Sequence, residues 1–252
     1  MSKQAVCELF SVEGKKALVT GGCAGLGRAM AEALIDGGAR VAIADISERV
    51  LDAAQEMGAV PLLVDLANRA QALALVDRTV EALGGLDILV NNAGAQRRHP
   101  AEAFPLEDWD LVLSVNLDAA WILAQAAGRF MLAQGHGKII NMVSMLSFSG
   151  GLTVPAYAAS KGALAQLTKA LSNEWAGRGV NVNAIAPGYM DTELNVALVG
   201  NPEREPQILA RIPAGRWGVP ADLRGIVIWL SSEASDYVHG AIIPVDGGYL
   251  GR

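Results

Sequence analysis

The sequence alternates short, β-branched apolar runs with longer stretches in which apolar residues recur at helical spacing. This alternation is typical of βαβ units around a parallel sheet, because a strand buried on both faces is apolar throughout and its crossover helix is apolar on one side. The runs that carry the strand pattern are Lys16–Thr20, Arg40–Asp45, Ala59–Asp65, Leu86–Asn91, Lys138–Val143, Val180–Ile185 and Ala241–Val245. The sequence therefore predicts an α/β fold with a doubly wound, Rossmann-like parallel sheet of seven strands.

Helical stretches fill the intervals between these runs. They are expected from Leu26 to Gly37, from a cap at Ser47 to Met57, and over Arg69–Leu83, Leu106–Gln134 and Ala156–Gly177. No linker, internal repeat or low-complexity tract divides the chain. We therefore expect a single domain over residues 1–252, in which the long segment 189–217 forms a lid over the carboxyl ends of the strands.

The composition argues against several classes of protein. The 252 residues are 52% hydrophobic and 18% charged, which is typical of a globular chain with a full core. The formal net charge of −6 lacks the basic excess of a nucleic-acid binder. Two cysteines suit a reducing compartment, and neither a signal peptide nor an uninterrupted apolar span is visible. We expect a cytoplasmic protein with no nucleic-acid or membrane partner.

A glycine-rich turn joins the first strand to its helix. Gly21, Gly25 and Gly27 would let backbone N–H groups approach a diphosphate at the positive end of that helix. Ala24 and Leu26 lie between them. The spacing departs from the G-x-G-x-x-G fingerprint, so the turn could also serve only to pack the strand against the helix.

An acidic residue closes the second strand. Asp45 stands 20 residues after Gly25, the offset at which a carboxylate accepts hydrogen bonds from the adenosine ribose of a dinucleotide. The neighbouring Ile46 is apolar, and a carboxylate would repel the 2′-phosphate of NADP. The pattern predicts NAD as the cofactor, although Arg49 is near enough in sequence to reach a phosphate.

Tyr157 and Lys161 stand four residues apart in a helical stretch and therefore share one face. A tyrosine used as a base near neutral pH needs a nearby cation, because its ordinary pKa is about 10. Ser144 follows the fifth strand, where a hydroxyl could bind a substrate oxygen; Ser147 and Ser149 are alternatives on spacing alone. Taken by itself, a Tyr–Lys pair at this spacing is usually a solvated helix surface.

Several motifs occur together in one order: TGGCAGLG at 20–27, NNAG at 91–94, SVNLDA around Asn116, YAASK at 157–161 and PGYMDT at 187–192. With Ser144 thirteen residues before Tyr157, this pattern resembles the short-chain dehydrogenase/reductase family from about Lys15 to the end of the chain. The resemblance implies a catalytic tetrad in which Tyr157 is the general acid/base, Lys161 lowers its pKa, Ser144 orients the substrate oxygen and Asn116 positions a water. It also implies a homotetramer.

The resemblance further implies which residues bind the cofactor. Besides Tyr157 and Lys161, they are Gly21, Ala24, Gly25, Leu26, Gly27, Asp45, Ile46, Asp65, Leu66, Asn92, Ala93, Gly94, Pro187, Gly188 and Thr192. Asp65 could instead only cap the next helix. No metal is expected, because the three histidines are far apart in sequence.

A cationic cluster follows the fourth strand and indicates an acidic substrate. Arg97 and Arg98 should border the crevice, where a guanidinium can bind a carboxylate in a bidentate way. Ser144 and Tyr157 would bind the reacting oxygen of the same substrate. Arg211 and Arg216 are further candidates in the lid. A solvated pair of loop charges is the alternative interpretation of Arg97 and Arg98.

Sequence motifs at 144–151, 183–190, 211–218 and 234–240 resemble those of family members that act on sugar acids. A sugar acid is therefore the expected substrate, with gluconate and keto-uronates as alternatives to a deoxy sugar acid. The competing functions are an NADP-dependent reductase of acyl-carrier-protein thioesters, a non-catalytic nucleotide sensor and an assembly scaffold. Asp45 argues against the first, and the complete tetrad argues against the second.

Overall fold

The computed structural model describes residues 2–196 and 198–252. Its centre is a parallel sheet in the order β3-β2-β1-β4-β5-β6-β7. The strands are β1 (Lys16–Thr20), β2 (Arg40–Asp45), β3 (Val60–Leu63), β4 (Ile88–Asn91), β5 (Gly137–Met142), β6 (Val180–Pro187) and β7 (Ile242–Val245). The predicted single-domain, Rossmann-like fold with seven parallel strands is confirmed.

Helices cover both faces of the sheet. They are α1 (Lys3–Leu9), α2 (Gly25–Asp36), α3 (Arg49–Met57), α4 (Arg69–Leu83), α5 (Leu106–Leu113), α6 (Ala119–Gln134), α7 (Pro155–Trp175), α8 (Arg204–Leu209) and α9 (Arg224–Ser231). Two large apolar clusters, one on each face, hold the helices to the sheet. The chain reverses its strand order between β1 and β4, so the crevice opens at the carboxyl ends of these two strands.

The structure differs from the sequence expectations at several element ends. The predicted helix Leu106–Gln134 contains a π-helical turn at Ser114–Asp118. The predicted third strand was too long, because only Val60–Leu63 pairs with β2. Helix α3 begins at Arg49 rather than at a Ser47 cap, although the Ser47 hydroxyl does accept the Arg49 N–H at 3.3 Å. The short helix α1 was not anticipated.

The helical stretch Leu106–Gln134 is long and apolar enough to cross a membrane. Half of its most apolar part is buried inside the protein. Its inward face contributes Ile122, Leu123 and Met131 to one of the two main apolar clusters. The apolar residues of this inward face are therefore accounted for by their place in the core.

Asparagines in the buried strand β6 tie the sheet to the loop before β7. The Asn183 amide donates to the Val238 carbonyl at 2.8 Å and accepts the Ala241 N–H at 3.0 Å. Asn181 donates to the same carbonyl at 3.0 Å. Buried amides are stabilising only when they are hydrogen-bonded, and these bonds fix where β7 begins.

The contact between α6 and α7 depends on a missing side chain. A Cβ on Gly128 would lie 2.6 Å from the Trp175 ring, whereas a Cβ on the exposed Gly225 of α9 would meet nothing within 4 Å. We expect Gly128→Ala to lower the free energy of unfolding by about 1–3 kcal/mol, because Trp175 must leave its packed position. Gly225→Ala, the matched control, should be neutral or stabilising by up to about 1 kcal/mol. Denaturation midpoints at equal protein concentration measure both; equal effects would contradict the packing argument.

Candidate active site

A cleft of about 540 Å³ opens at the carboxyl ends of the strands. Most of the residues predicted to bind cofactor or substrate line it: Gly21, Ala24, Gly25, Leu26, Gly27, Asn92, Ala93, Gly94, Arg98, Ser144, Tyr157, Lys161, Pro187, Gly188 and Thr192. Asn116, Asp45, Ile46, Asp65, Leu66 and Arg97 do not line this cavity. The sequence motifs therefore converge on one cleft, and these six residues lie outside its lining.

The glycine turn ends β1 and begins α2 without blocking the cleft. Gly21 adopts a left-handed conformation with φ 63°, and its N–H donates to the Ala44 carbonyl at 2.7 Å. A Cβ on Gly27 would lie 2.0 Å from the Gly21 carbonyl oxygen. Helix α2 then starts at Gly25 behind Ala24, which offers no side-chain cap to the first-turn N–H groups. Uncapped donors at a positive helix end fit the diphosphate of a dinucleotide.

Thr20 and Asn92 join this turn to the end of β4. The Thr20 hydroxyl accepts the N–H groups of Asn92 and Ala93, each at 3.0 Å. The Asn92 amide donates to the carbonyls of Thr20 at 2.9 Å and Gly21 at 3.1 Å. The two sides of the crevice are therefore held at a fixed separation.

Asp45 and Asp65 stand beyond the cavity, near the ends of β2 and β3. One Asp45 carboxylate oxygen accepts the Ser47 N–H at 3.1 Å, and the other accepts the Cys23 N–H at 3.5 Å. Asp65 accepts the Ala67 N–H at 2.9 Å. Ile46, next to Asp45, is 67% exposed. This arrangement leaves a carboxylate and an apolar surface along the edge of the glycine turn.

Ser144, Tyr157 and Lys161 come together in the middle of the cleft. Ser144 follows β5, and the other two residues lie on the first turns of α7, which begins at Pro155. The Lys161 Nζ donates to the Met142 carbonyl at 2.6 Å and lies 5.7 Å from the centroid of the Tyr157 ring. Of the serine alternatives, Ser147 is taken up by hydrogen bonds to the Lys161 carbonyl and the Ser144 N–H.

Burial sets the protonation of this pair. Burial lowers the pKa of Lys161 to about 8 and raises the pKa of Tyr157, while the Ser144 hydrogen bond and the charge of Arg98 oppose the rise for Tyr157. The net direction for Tyr157 is therefore upward, and the lowering of its pKa by Lys161 stays a prediction. Its desolvation outweighs the stabilisation of a phenolate.

Asn116 supports the loop beside the pair from the π-helical turn. Its amide oxygen accepts the Ala95 N–H at 2.7 Å, and its amide nitrogen donates to the Ala95 carbonyl at 3.0 Å and to the Ser160 hydroxyl at 3.1 Å. Ser160 in turn donates to the Tyr157 carbonyl at 2.8 Å. A π-helical turn often marks a functional position. The role of Asn116 in positioning a water stays a prediction.

The predicted arginine cluster is divided in the structure. Arg97 turns to Asp108, with 3.1 Å between Nε and the carboxylate oxygen, and His99 contacts the same carboxylate at 2.6 Å. Arg98 lines the cleft and donates to the Gln96 side chain at 3.2 Å. Of the two arginines, Arg98 is therefore among the residues that line the cleft and Arg97 is not. Asp108 explains the difference, because it offers Arg97 a fixed partner outside the cleft.

Sequence reasoning missed several groups at the site, among them Ser160, Arg204 and Tyr249. Ser160 links Asn116 to the Tyr157 backbone, and Arg204 and Tyr249 line the cleft from distant parts of the chain. Ser160 lies within YAASK, so the motif held a signal for it. For Arg204 and Tyr249 no local pattern exists, since they reach the cleft only when the segment 189–217 and the C-terminal segment are folded onto the sheet. Ala197 of the predicted lid lies outside the described residues.

Comparisons with known proteins agree with this geometry. A family profile described as "Enoyl-(Acyl carrier protein) reductase" matches residues 21–250. The chain is 46% identical over 252 residues to the 2-dehydro-3-deoxy-D-gluconate 5-dehydrogenase of Escherichia coli K12, covering 98% of this chain and 100% of that protein. It is 48% identical to the enzyme of the same name from Bacillus subtilis 168, over 97% and 98% of the two chains.

A solved structure is similar over the whole chain. The gluconate 5-dehydrogenase of Burkholderia cenocepacia J2315, in complex with NADP and tartrate, superposes with a TM-score of 0.94 at 42% identity. The alignment covers 98% of this chain and 99% of that one. This likeness covers all the strands and helices that form the cleft.

The buried Lys161 predicts a specific dependence of stability on pH. Because the pKa of Lys161 is about 8 in the folded chain and 10.5 ordinarily, the folded state binds fewer protons than the unfolded state between these values. Burying the Lys161 ammonium therefore lowers the free energy of unfolding by its largest amount below pH 8. This loss becomes smaller as the pH rises towards 10.5. We expect the stability of the native chain relative to Lys161→Met to rise by about 2–3 kcal/mol from pH 7 to pH 10.

Chemical denaturation of both proteins at several pH values measures this difference. Titrating groups that do not interact with Lys161 are common to the two chains, so their contributions cancel. Burial raises the pKa of the neighbouring Tyr157 above its ordinary value, so Tyr157 stays largely protonated in both folded chains over this range. A difference in unfolding free energy that is the same at pH 7 and pH 10 would show that Lys161 keeps its ordinary pKa when folded.

Proposed function

The chain belongs to the short-chain dehydrogenase/reductase family, and from this premise we propose that it transfers a hydride between NAD(H) and a hydroxyl or keto group of a sugar acid. The substrates favoured are 2-dehydro-3-deoxy-D-gluconate and 2-deoxy-D-gluconate. The observation that carries the proposal is that Arg98, without a carboxylate partner in the described chain, lines the same cleft as Ser144, Tyr157 and Lys161. The names of the relatives support the same substrate class.

The protein's own residues would bind the substrate and manage its proton. When bound, the nicotinamide supplies the hydride acceptor or donor. During oxidation Tyr157 would first lose its own proton to solvent, and the resulting phenolate oxygen would take the proton of the substrate hydroxyl; during reduction the Tyr157 hydroxyl would give its proton to the substrate oxygen. Ser144 donates to the same substrate oxygen, and Lys161, charged at neutral pH because its pKa is about 8, stabilises the Tyr157 phenolate as it forms.

An alternative within the family is gluconate 5-dehydrogenase activity, the activity of the Burkholderia relative. A reductase of acyl-carrier-protein thioesters is a second alternative, and it is the activity that the description of the family profile suggests. We favour the sugar acid because a guanidinium beside the reacting tyrosine suits a carboxylate better than an acyl chain. Substrate comparison separates these alternatives directly.

The test is NADH formation or consumption with a panel of substrates. It contains 2-dehydro-3-deoxy-D-gluconate, 2-deoxy-D-gluconate, D-gluconate, its neutral isostere D-gluconamide and an acetoacetyl thioester. Arg98→Ala should raise KM for the acids about tenfold or more, with a much smaller effect on the amide, because a charged hydrogen bond is lost. Arg97→Ala is the matched control and should leave KM nearly unchanged, since Arg97 pairs with Asp108 outside the cleft.

Two results would contradict the proposal. One is turnover of the thioester in preference to every acid. The other is an equal rise of KM for gluconate and gluconamide in Arg98→Ala. Tyr157→Phe serves as the chemical control, because it should retain NADH binding and lose turnover by orders of magnitude.

We propose NAD rather than NADP because Asp45 holds a carboxylate at the edge of the glycine turn. Arg49 is the competing group: it is 65% exposed, and its only ion pair is with Glu193 at 3.6 Å in the described chain. Its guanidinium could therefore bind a 2′-phosphate. The Burkholderia relative is in complex with NADP. The balance between Asp45 and Arg49 decides the preference.

Asp45→Ser should lower the ratio of kcat/KM for NAD to that for NADP by about 10- to 100-fold, because a hydrogen bond to a carboxylate is lost and a repulsion removed. Asp65→Asn is the control, since the adenine that it is predicted to contact is common to both cofactors. It should weaken NAD and NADP equally. A native chain that prefers NADP, or an Asp45→Ser variant with an unchanged ratio, would overturn the proposal.

We also propose a cytoplasmic homotetramer with no nucleic-acid or membrane partner. Exposed apolar side chains on the helical stretch Leu106–Gln134 support self-association, among them Leu106 at 76% exposed and Trp121 at 36%. The net charge of −6 argues against nucleic acid. Sedimentation equilibrium measures the assembly, and a stable monomer would contradict it.

A further inference from the structure

A second guanidinium reaches the cleft from the lid. Arg211 follows α8 and is exposed where it lines the cavity. Its guanidinium carbon lies 4.4 Å from the centroid of the Tyr249 ring. Tyr249 itself is only 8% exposed, so the ring is a fixed surface on which the guanidinium rests.

The orientation of the Tyr249 ring is set by its surroundings. It packs edge-to-face against Tyr189, with 5.6 Å between ring centroids. Tyr189 packs in the same way on Trp217 at 5.5 Å. Burial raises the pKa of Tyr249, so the ring stays neutral and offers Arg211 a π face rather than a phenolate. The cationic charge of Arg211 is therefore not neutralised by its neighbour.

The backbone around Arg211 is tied to the C-terminal segment on both sides. The Arg252 side chain donates to the Ala210 carbonyl at 2.7 Å, and the Ala214 N–H donates to the Gly247 carbonyl at 3.0 Å. These bonds bracket Arg211 within four residues. The lid position that carries this guanidinium is thus held independently of any ligand.

Arg211 has no carboxylate partner in the described part of the chain. Another arginine of the same segment, Arg216, forms a bidentate pair with Asp222 at 2.7 and 2.9 Å. Arg97 is likewise paired, with Asp108. A guanidinium that is held in place, faces a cleft and lacks a counter-ion is suited to a ligand carboxylate.

We propose that Arg211, oriented by the face of Tyr249, is a carboxylate-binding residue of the substrate site. The inference rests on the proposed sugar-acid function and adds a second cationic contact to that of Arg98. Arg98 lies near enough to Tyr157 for its charge to lower the pKa of that hydroxyl, so it stands on the side of the reacting oxygen. Arg211 stands on the lid, and the two charges together favour an acid over a neutral sugar.

The first test measures substrate selectivity in Arg211→Ala and Arg211→Lys. Arg211→Ala should raise KM for gluconate or the best acid of the panel about tenfold or more, with less than a threefold change for gluconamide. Arg211→Lys should recover part of the loss, because it keeps the charge but not the planar fork. The dissociation constant of NADH, read by its fluorescence, should stay within twofold in both variants.

The second test separates the ring from the rest of Tyr249. Tyr249→Phe keeps the π face and should behave as the native chain towards acids. Tyr249→Leu keeps an apolar side chain but removes that face, and should raise KM for acids in the same direction as Arg211→Ala. Equal effects of Phe and Leu on acid selectivity would show that the ring does not orient Arg211.

A binding measurement distinguishes failure of this inference from failure of the proposed function. Tartrate, the acid held by the Burkholderia relative, is titrated calorimetrically into the NADH complex of the native chain and of Arg211→Ala. Native binding that weakens about tenfold in the variant supports the inference even if no acid of the panel is turned over. If acids are turned over and Arg211→Ala changes neither KM nor the affinity for tartrate, the inference is overturned and the proposed function stands. If tartrate does not bind to the native chain, the inference is also overturned.

Discussion

Thr20 and Asn92 tie together the ends of β1 and β4, the two strands between which the strand order reverses. A crevice at this point is unavoidable in a doubly wound sheet, because the helices that follow the two strands lie on opposite faces. What the sequence controls is the width and chemistry of the crevice. The Thr20 hydroxyl and the Asn92 amide satisfy the backbone groups that the reversal leaves unpaired, with bonds of 2.9–3.1 Å. The glycine turn and the NNAG segment can therefore face one ligand from fixed positions.

The reactive pair depends on the same scaffold for a different reason. Lys161 is 3% exposed, and its direct acceptor is the Met142 carbonyl at the end of β5. A carbonyl dipole compensates a buried ammonium only in part, which is why the pKa falls to about 8. Burial of Lys161 lowers the stability of the fold. It also places beside Tyr157 a cation whose charge is not screened by water. A fully solvated lysine at the same spacing would act more weakly on the phenol.

How much of this could be predicted from the sequence varies with the range of the interactions. The strands, the glycine turn and the Tyr157–Lys161 face follow from periodicities within one element, and the sequence predicts the strand ends to within two residues. The sequence predicts that Arg97 and Arg98 both border the cleft, because adjacent residues lie in the same part of the structure. In a non-helical segment, however, neighbouring side chains point in different directions, and Asp108, eleven residues on, fixes Arg97 away from the cleft. Tyr249 could not be inferred, since only the completed sheet brings the C-terminus to the lid.

The arginines that line the cleft and the residues proposed to transfer the proton lie on different segments, and this arrangement has an electrostatic consequence. The chain carries a net charge of −6, so an acidic substrate approaches a repulsive field. Two of the arginines near the cleft add little to this attraction, because Arg97 and Arg216 are neutralised by their own carboxylates. Arg98, Arg204 and Arg211 have no ion pair in the described chain and line the concave cleft, where their charges are directed at a bound ligand. Substrate charge can then be recognised from the loop after β4 and from the lid, while the proton chemistry stays on the rigid pair of β5 and α7. A change of lid sequence would alter which acid binds without altering how its hydroxyl is deprotonated.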